Sequence, residues 1–237
     1  MLQVIPVIDL LHGQVVHAKR GDRANYLPVR SALCEGSDPL TVTGALLELH
    51  PFKTMYVADL GAIQGLGGHR PALHAIRARF PGLELWVDAG LSSARELLQW
   101  SDEGLGTPIL GAESIASDAE LSEISARLRR DSWILSMDFR GDAFMGPPGL
   151  MEQPALWPTK VLAMNLARVG SGSGPDVELI GRLRRLAPGS AVYAAGGVRG
   201  PEDLGLAEQA GAAGALVATA LHDGRLGRAA LSGTPKP

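Results

Sequence analysis

Apolar segments of similar length recur along the chain, and each is bounded by glycine, proline or polar residues. We identify eight of them: VIPVIDL (4–10), TMYVADL (54–60), LELWVDAG (83–90), GTPILGAE (106–113), SWILSMDF (132–139), KVLAMNL (160–166), SAVYAAGG (190–197) and AGALVAT (213–219). Short continuous apolar runs between turn-forming residues are typical of strands that are buried on both faces.

Amphipathic helical patterns lie between several of these segments. They span residues 70–80, 93–104, 118–130, 176–187 and 200–211. Strands that alternate with helices pair in parallel, because each crossover helix returns the chain to the same end of the sheet. Eight such units in 237 residues predict a single domain, residues 1–237, folded as a closed α/β barrel of the (β/α)8 TIM type.

One unit departs from this pattern. The segment between the fifth and sixth predicted strands, 141–160, is rich in proline and has little room for a full helix. We expect a loop or a short helical turn there. That side of the barrel would be thinly covered, which leaves a face open for contact in a homo-oligomer.

The chain also contains a weak internal repeat. A shift of 107 residues aligns residues 87–97 with 194–204 and places Gly90 on Gly197, with the apolar pattern matching better than the identities. The repeat predicts two similar half-barrels of four units each.

The amino-acid composition argues against several classes of function. With a net charge of −3 and 20% of charged residues, the chain has no excess of basic residues that would indicate binding to nucleic acid or to a membrane surface. No apolar stretch is long enough to span a bilayer, and no charged leader precedes the first strand. The lone cysteine, Cys34, excludes an internal disulfide framework. We therefore expect a cytoplasmic protein, and no motif calls for a metal or another cofactor.

Carboxylates end the first five predicted strands. In such barrels the active site lies at the carboxyl ends of the strands, so Asp9, Asp59, Asp88, Glu113 and Asp138 would share one rim. Asp9 and Asp138 occupy corresponding strands of the two halves, and two carboxylates in unlike surroundings can divide the roles of acid and base. They are the predicted catalytic pair, whereas helix capping is the alternative role for each carboxylate.

Small residues follow the last three predicted strands. Paired glycines between a strand and a helix let backbone N–H groups approach an anion. The predicted phosphate-binding residues are Ser171, Gly172, Gly196, Gly197, Ala218 and Thr219. The corresponding loop of the first half reads DAGLSS, with Asp88 and Ala89 in place of the paired glycines, and a carboxylate repels phosphate, so we expect one phosphate site rather than two.

Further polar residues are candidates for the same pocket. Asn165 ends the sixth strand, and Asp176 follows the glycine-serine loop. The loop 10–29 alternates apolar and polar residues and is predicted to form a short hairpin over the mouth. It carries Lys19, which could reach the acidic rim.

Together these residues resemble the HisA/HisF family of histidine biosynthesis over nearly the whole chain. The most specific segments are IPVIDLLHGQVV (5–16), DLGAIQG (59–65), GSGSGPD (170–176) and AAGGVRGPEDL (194–204). The resemblance implies a duplicated barrel with one phosphate site in each half. It implies that Asp9 is the base of the first strand and Asp138 the essential carboxylate of the fifth. Known members isomerise an aminoaldose on a bisphosphorylated ribotide or close an imidazole ring.

The departures from this family are equally specific. Where the family carries an aspartate followed by Gly-Thr, this chain has Val169-Gly170-Ser171, and valine cannot transfer a proton. The family's glycine-rich third-strand loop is replaced by DAGLS (88–92), and the helix after the fifth strand is largely missing.

These losses predict a divergent HisA-like enzyme that uses acid/base catalysis on a small, singly phosphorylated substrate. Aldose–ketose isomerisation is the expected chemistry, and one-carbon carrier metabolism (methanopterin or methanofuran) is a candidate setting. The alternatives are a genuine histidine-pathway isomerase, a non-catalytic barrel that binds a phosphorylated ligand, and a divalent metal held by the carboxylate rim.

Overall fold

The computed structural model describes residues 2–17 and 26–233, and these residues form a closed parallel barrel. Its eight strands are β1 (Gln3–Leu11), β2 (Thr54–Asp59), β3 (Glu84–Leu91), β4 (Thr107–Gly111), β5 (Ile134–Arg140), β6 (Lys160–Asn165), β7 (Ala191–Ala195) and β8 (Gly214–Val217). Each pairs with the next in the chain, and β8 pairs with β1 through Gln3↔Gly214 to Pro6↔Val217. The predicted fold is confirmed.

Within the described residues, six long helices cover the outside of the barrel. They are α1 (Pro39–Leu49), α2 (Arg70–Arg79), α3 (Ala94–Glu103), α4 (Asp118–Arg127), α5 (Val177–Leu186) and α6 (Pro201–Gln209). Local sequence signals fix their ends: Ser93 and Ser117 accept the backbone N–H groups of Glu96 and Glu120 at the starts of α3 and α4. The five helices predicted from periodicity all form within a few residues of the expected bounds.

The segment after β5 has no full helix, as predicted. It contains a two-residue strand, Ala143–Phe144, a five-residue helix, Pro148–Glu152, and a single 3-10 turn, Pro154–Leu156. Further short helices are Leu60–Ile63, Thr219–His222 and Arg228–Ser232. Across the described residues, no helix combines the length and apolar character needed to cross a membrane.

The two halves of the barrel share local geometry. Gly90 and its repeat partner Gly197 both have positive φ, at 69° and 85°; Gly90 lies near the end of β3 and Gly197 just beyond β7, the third strand of the second half. The first strand of each half is followed by a short antiparallel strand, Gln14–His17 beside β1 and Ala143–Phe144 beside β5. These likenesses agree with the predicted half-barrel repeat.

The loop after β1 forms part of the expected hairpin. Gln14–His17 pairs with β1 and with a second short strand, Leu27–Pro28. Lys19 lies outside the described residues, so its predicted place in the pocket stays a prediction.

The interior of the barrel is filled by a layer of large side chains, one from each strand. The layer contains Ile5, Tyr56, Trp86, Ile109, Ile134, Leu162, Tyr193 and Leu216. The rings of Trp86 and Tyr193 meet edge to face with centroids 4.9 Å apart. Above this layer, towards the carboxyl ends of the strands, lies the cavity described below.

We expect Trp86→Ala to lower the free energy of unfolding by about 3–5 kcal/mol, because it removes a fully buried aromatic side chain from the interior layer. Urea denaturation monitored by circular dichroism would measure the change. Leu206→Ala, at a side chain 46% exposed on α6, is the control and should change the value by less than about 0.5 kcal/mol. Equal effects of the two variants would contradict this account of the interior.

Candidate active site

A cavity of about 360 Å³ opens at the carboxyl ends of the strands. Its lining includes residues that the sequence singled out: Asp9, Asp88, Glu113, Asp138, Ser171, Gly172, Gly196, Gly197, Ala218 and Thr219. The barrel geometry brings these residues together although they are distant in the chain.

Asp9 lies within β1 and its carboxylate faces the cavity. The residue is 9% exposed and lines the cavity beside Val7 and Ala58. Burial raises the pKa of Asp9 from 3.8 to about 7, because the ionised form loses its hydration. A carboxyl with this pKa exchanges a proton readily near neutral pH.

Asp138 occupies the corresponding place on β5. It is 6% exposed and accepts a 2.6 Å hydrogen bond from the Ser136 hydroxyl. Burial raises the pKa of Asp138 to about 7, opposed by the Ser136 hydrogen bond and assisted by the negative charges of Asp88 and Glu113. Two buried carboxyls with pKa values near 7 therefore line one cavity.

The loops after β6 and β7 are held against each other by their backbones. The Gly174 N–H donates to the Gly197 carbonyl at 3.1 Å, and a side chain at Gly197 would collide with the Gly174 carbonyl. Gly172 and Gly196 have φ values of 67° and 99°, which favour glycine. Gly197 is thus required for the close approach of these two loops, and Gly172, Gly196 and Gly197 line the cavity.

The hydroxyl groups near these glycines already have partners. The Ser171 hydroxyl bonds to the Arg168 carbonyl and to the Ser173 hydroxyl, both at 2.7 Å. Thr219 Oγ1 lies 3.2 Å from His17 Nε2. Phosphate binding by this half of the rim stays a prediction. Backbone amides would contribute more to it than these hydroxyl groups.

Asp59 does not line the cavity, which corrects its predicted place in the pocket. A short helix begins at the next residue, and Asp59 caps it by accepting the Ala62 N–H at 3.0 Å. Its other contacts are with His69, whose Nδ1 lies 2.7 Å from Asp59 Oδ1. His69 Nε2 accepts the Gly13 N–H, so the ring proton is on Nδ1 and is donated to Asp59. Asp59 therefore ties two loops together.

Asn165 and Asp176 are likewise outside the cavity lining. The Asn165 amide donates to Asp176 at 2.8 Å and bonds to both backbone groups of Gly141. Asp176 caps α5 through the Leu179 N–H at 3.1 Å. Both side chains are used to position the loops after β5 and β6, so their predicted role in the pocket is corrected to loop ordering.

Asp88 and Glu113, whose orientation could not be predicted from the sequence, both line the cavity. Asp88 also accepts the Gly90 N–H at 3.1 Å, which orders the loop after β3. Among residues 2–17 and 26–233, no three His, Cys, Asp or Glu side chains come close enough to hold a metal ion. The carboxylates are therefore spread around the rim instead of converging on one point.

Two arginines at the cavity were missed by sequence reasoning. Arg140 lies two residues beyond Asp138, so the alternation of a strand could have placed it on the same face. Arg225 follows the last barrel strand and is fixed by Asp223 at 2.6 Å. No pattern in the sequence marks Arg225, because its place depends on the two short helices that flank it.

The fold and the site define a (β/α)8 barrel with a polar cavity at the carboxyl rim. The family model described as "Histidine biosynthesis protein" matches residues 3–227. The chain belongs to this family.

Several relatives match almost the full length. An uncharacterized protein of Methanocaldococcus jannaschii is 31% identical, over 95% of each chain. The 1-(5-phosphoribosyl)-5-((5-phosphoribosylamino)methylideneamino) imidazole-4-carboxamide isomerase of Halorhodospira halophila is 30% identical, over 94% of this chain and 93% of the relative. The isomerase of the same name from Stenotrophomonas maltophilia is 26% identical, over 94% and 95%. The chain is thus similar both to named isomerases and to a protein of unstated function.

Asp9→Asn is expected to stabilise the protein more at pH 8 than at pH 5. Between about pH 4 and pH 7 the folded state keeps a proton that the unfolded chain has released, so stability falls as the pH rises through this window. Asparagine stays neutral and avoids the loss. The gain in the free energy of unfolding should be up to about 2.5 kcal/mol larger at pH 8, measured by urea denaturation.

Asp131→Asn is the control, because Asp131 is solvent-exposed and the pKa of its carboxyl is lowered by the hydrogen bond from Arg129. It should give no stabilisation that grows with pH. A pH-independent effect of Asp9→Asn would contradict the raised pKa.

Gly197→Ala is expected to weaken the binding of inorganic phosphate by about tenfold or more, the size of one lost charge-assisted hydrogen bond. The added methyl group would separate the loops after β6 and β7. Isothermal titration calorimetry measures the affinity. Gly205→Ala, in α6 where a methyl group meets no other atom, is the control and should leave the affinity unchanged. Equal affinities for all three proteins would place phosphate elsewhere.

Proposed function

We propose that this protein is an isomerase-type enzyme that moves a proton on a small phosphorylated substrate, with Asp9 and Asp138 as its acid/base pair. The observation that carries the proposal is the pair of buried carboxyls with pKa values near 7 in one cavity. General acid/base catalysis works best when the catalytic pKa lies near the working pH. The glycine loops of the other half offer a place for the phosphate.

The proposed reaction needs one ionised and one protonated carboxyl. In an aldose–ketose conversion the base removes a proton from the carbon beside a carbonyl or imine, and the acid donates a proton to its oxygen or nitrogen. The resulting enol or enamine then collapses with the opposite transfers, so no proton is gained or lost overall. With both pKa values near 7, the singly protonated pair is well populated at neutral pH. Asp9 is assigned as the base, following its resemblance to the family's first-strand base.

The isomerase relatives support the type of chemistry but not the same substrate. Their name specifies a substrate with two phosphoribosyl groups. In this chain Val169 lines the cavity at the family's acid position, and loss of such a group typically costs about two to four decades in rate. Asp88 and Glu113 line the half where a second phosphate would lie, and their charges repel it. These differences favour a substrate with a single phosphate.

A genuine histidine-pathway isomerase is the second candidate, favoured by the likeness to named isomerases over nearly the full chain. A barrel that binds a phosphorylated ligand without turning it over is the third outcome. Cytoplasmic location, homo-oligomer formation and a setting in one-carbon carrier metabolism stay predictions.

The first test is an isomerase assay on the bisphosphate substrate of the named relatives, with Asp9→Asn as the control. We expect no turnover above that of Asp9→Asn, in a protein that still binds inorganic phosphate. Val169→Asp, which restores the family's acid, should raise any residual turnover. Turnover by the original protein that Asp9→Asn abolishes would instead assign it to histidine biosynthesis.

A search among monophosphates follows if the bisphosphate is not used. Turnover of a sugar monophosphate that is unchanged in both Asp9→Asn and Asp138→Asn would contradict the acid/base pair. Phosphate binding without turnover of any phosphorylated sugar would favour the non-catalytic barrel.

A further inference from the structure

A second, smaller cavity adjoins the candidate active site. Its volume is about 70 Å³, and it lies between β1, the short strand Gln14–His17 and the short helix Thr219–His222. Four residues line both cavities: Val7, Asp9, Ala218 and Thr219. The two spaces therefore share a wall, and Asp9 is part of that wall. We name the smaller space the side cavity.

The side cavity reaches from buried to exposed residues. Its other lining residues are Val15, Val16, His17, Val29, Arg30, His222 and Asp223. Asp9 and His222 are buried, at 9% and 6% exposed, whereas His17, Arg30 and Asp223 are exposed. These five residues are all the titratable groups of the lining. The side cavity thus leads from Asp9 to the surface along polar side chains.

Two histidines of the side cavity have anchored rings. His17 Nε2 lies 3.2 Å from Thr219 Oγ1, in the wall shared with the main cavity. His222 Nδ1 lies 3.0 Å from Ser31 Oγ. Each of these contacts uses one ring nitrogen, so the second nitrogen of each ring can form a hydrogen bond with water. The acid/base chemistry proposed above uses neither ring.

The size and the polarity of the side cavity suit water. A water molecule takes about 30 Å³ in the liquid, so about 70 Å³ has room for two. A buried water also needs polar partners, and the Asp9 carboxyl, the Thr219 hydroxyl and the His222 ring are available along the lining. Both conditions for ordered water are therefore met next to Asp9.

We propose that the side cavity is a hydrated channel through which Asp9 exchanges its proton with solvent, separately from the opening that the substrate uses. The Asp9 carboxyl passes its proton to a neighbouring water, and that water releases one of its own protons towards the exposed end at His17. Solvent protons return by the same route. Each O–H bond that breaks is matched by one that forms, so the exchange needs no co-reactant.

The channel has a consequence for catalysis. A proton that Asp9 takes from a substrate carbon exchanges with solvent before it is returned, even while the substrate fills the main cavity. This use of the channel rests on the proposed function, because it requires Asp9 to be the base. The hydration of the channel does not rest on it and is measured without substrate.

The test fills the side cavity and follows the His222 ring by NMR of the nitrogen-15-labelled protein. Val29 lines the side cavity and not the main one, so Val29→Phe should displace the water. Val29→Leu is the smaller change for the case that phenylalanine prevents folding. In the original protein, saturation of the water signal should transfer to the His222 ring N–H although the residue is 6% exposed. The transfer should be lost in Val29→Phe and reduced in Val29→Leu.

The Asp9 carboxyl gives the second readout, by carbon-13 NMR. Displacing the water removes hydration from the ionised form, so the pKa of Asp9 should rise above about 7 in both Val29 variants. Val177→Phe and Val177→Leu are the matched controls, since Val177 is 39% exposed on α5 and lines neither cavity. They should leave the transfer and the pKa of Asp9 unchanged.

The outcomes separate this inference from the proposed function. If the original protein shows no saturation transfer to the His222 ring, the side cavity is dry and the channel is overturned. An Asp9 pKa that is the same in the original protein and in a folded Val29 variant also overturns it, because Asp9 is then not hydrated from this side. Neither result affects the isomerase assay. A hydrated channel in a protein that converts no phosphorylated sugar removes the catalytic use of the channel together with the proposed function.

Discussion

The pairing of β1 with β8 is the constraint on which the rest of the molecule depends. The carboxyl ends of parallel strands always lie at one edge of the sheet, and this edge becomes a closed ring only when the first and last strands pair, as Gln3–Pro6 do here with Gly214–Val217. Closure places Asp9, Asp138 and the glycines after β7 around one opening. The layer of large side chains inside the barrel then forms a floor. A polar side chain near the end of a strand has two environments available, the open cavity or the packed loops around it.

The local course of the chain decides between these environments. After β2 a helix begins at once, and its free N–H groups bind Asp59. After Asp9 the chain stays in β1 and then turns back as an antiparallel strand, so no helix start is available to Asp9. Asn165 and Asp176 are satisfied by each other and by backbone groups. Asp138 accepts the Ser136 hydroxyl and, at 3.4 Å, the Glu113 N–H, and burial still raises the pKa of both Asp9 and Asp138 to about 7.

The sequence predicts the barrel well because its signals are local. The eight apolar runs became the eight strands, and the proline-rich segment 141–160 lacks a full helix. It was harder to predict which polar side chains at the rim would face the cavity. The helix Leu60–Ile63 is too short to show a period, yet it removes Asp59 from the cavity. The direction of Asp88 depends on a shift in register between β3 and β4 after that residue. A short helix leaves little signal in the sequence, and a register shift arises from pairing between strands, which a single sequence does not reveal.

The changes at the rim relative to the family pattern act together. By the resemblance to the family, Val169 stands in the loop after β6 where an acid is expected, and Asp88 stands where a glycine is expected; both line the cavity. Either change alone would weaken a bisphosphate isomerase, whereas both together give the cavity a direction from an amide-rich end to an acidic end. A field of this kind orients a dipolar ligand before it makes contact. A ligand oriented in this way places its central atoms between the two ends, within the cavity that Asp9 and Asp138 line. The polarity of the cavity comes from the loops after β3 and β4 on one side and those after β6 and β7 on the other, whereas Asp9 on β1 and Asp138 on β5 lie where these two sides meet.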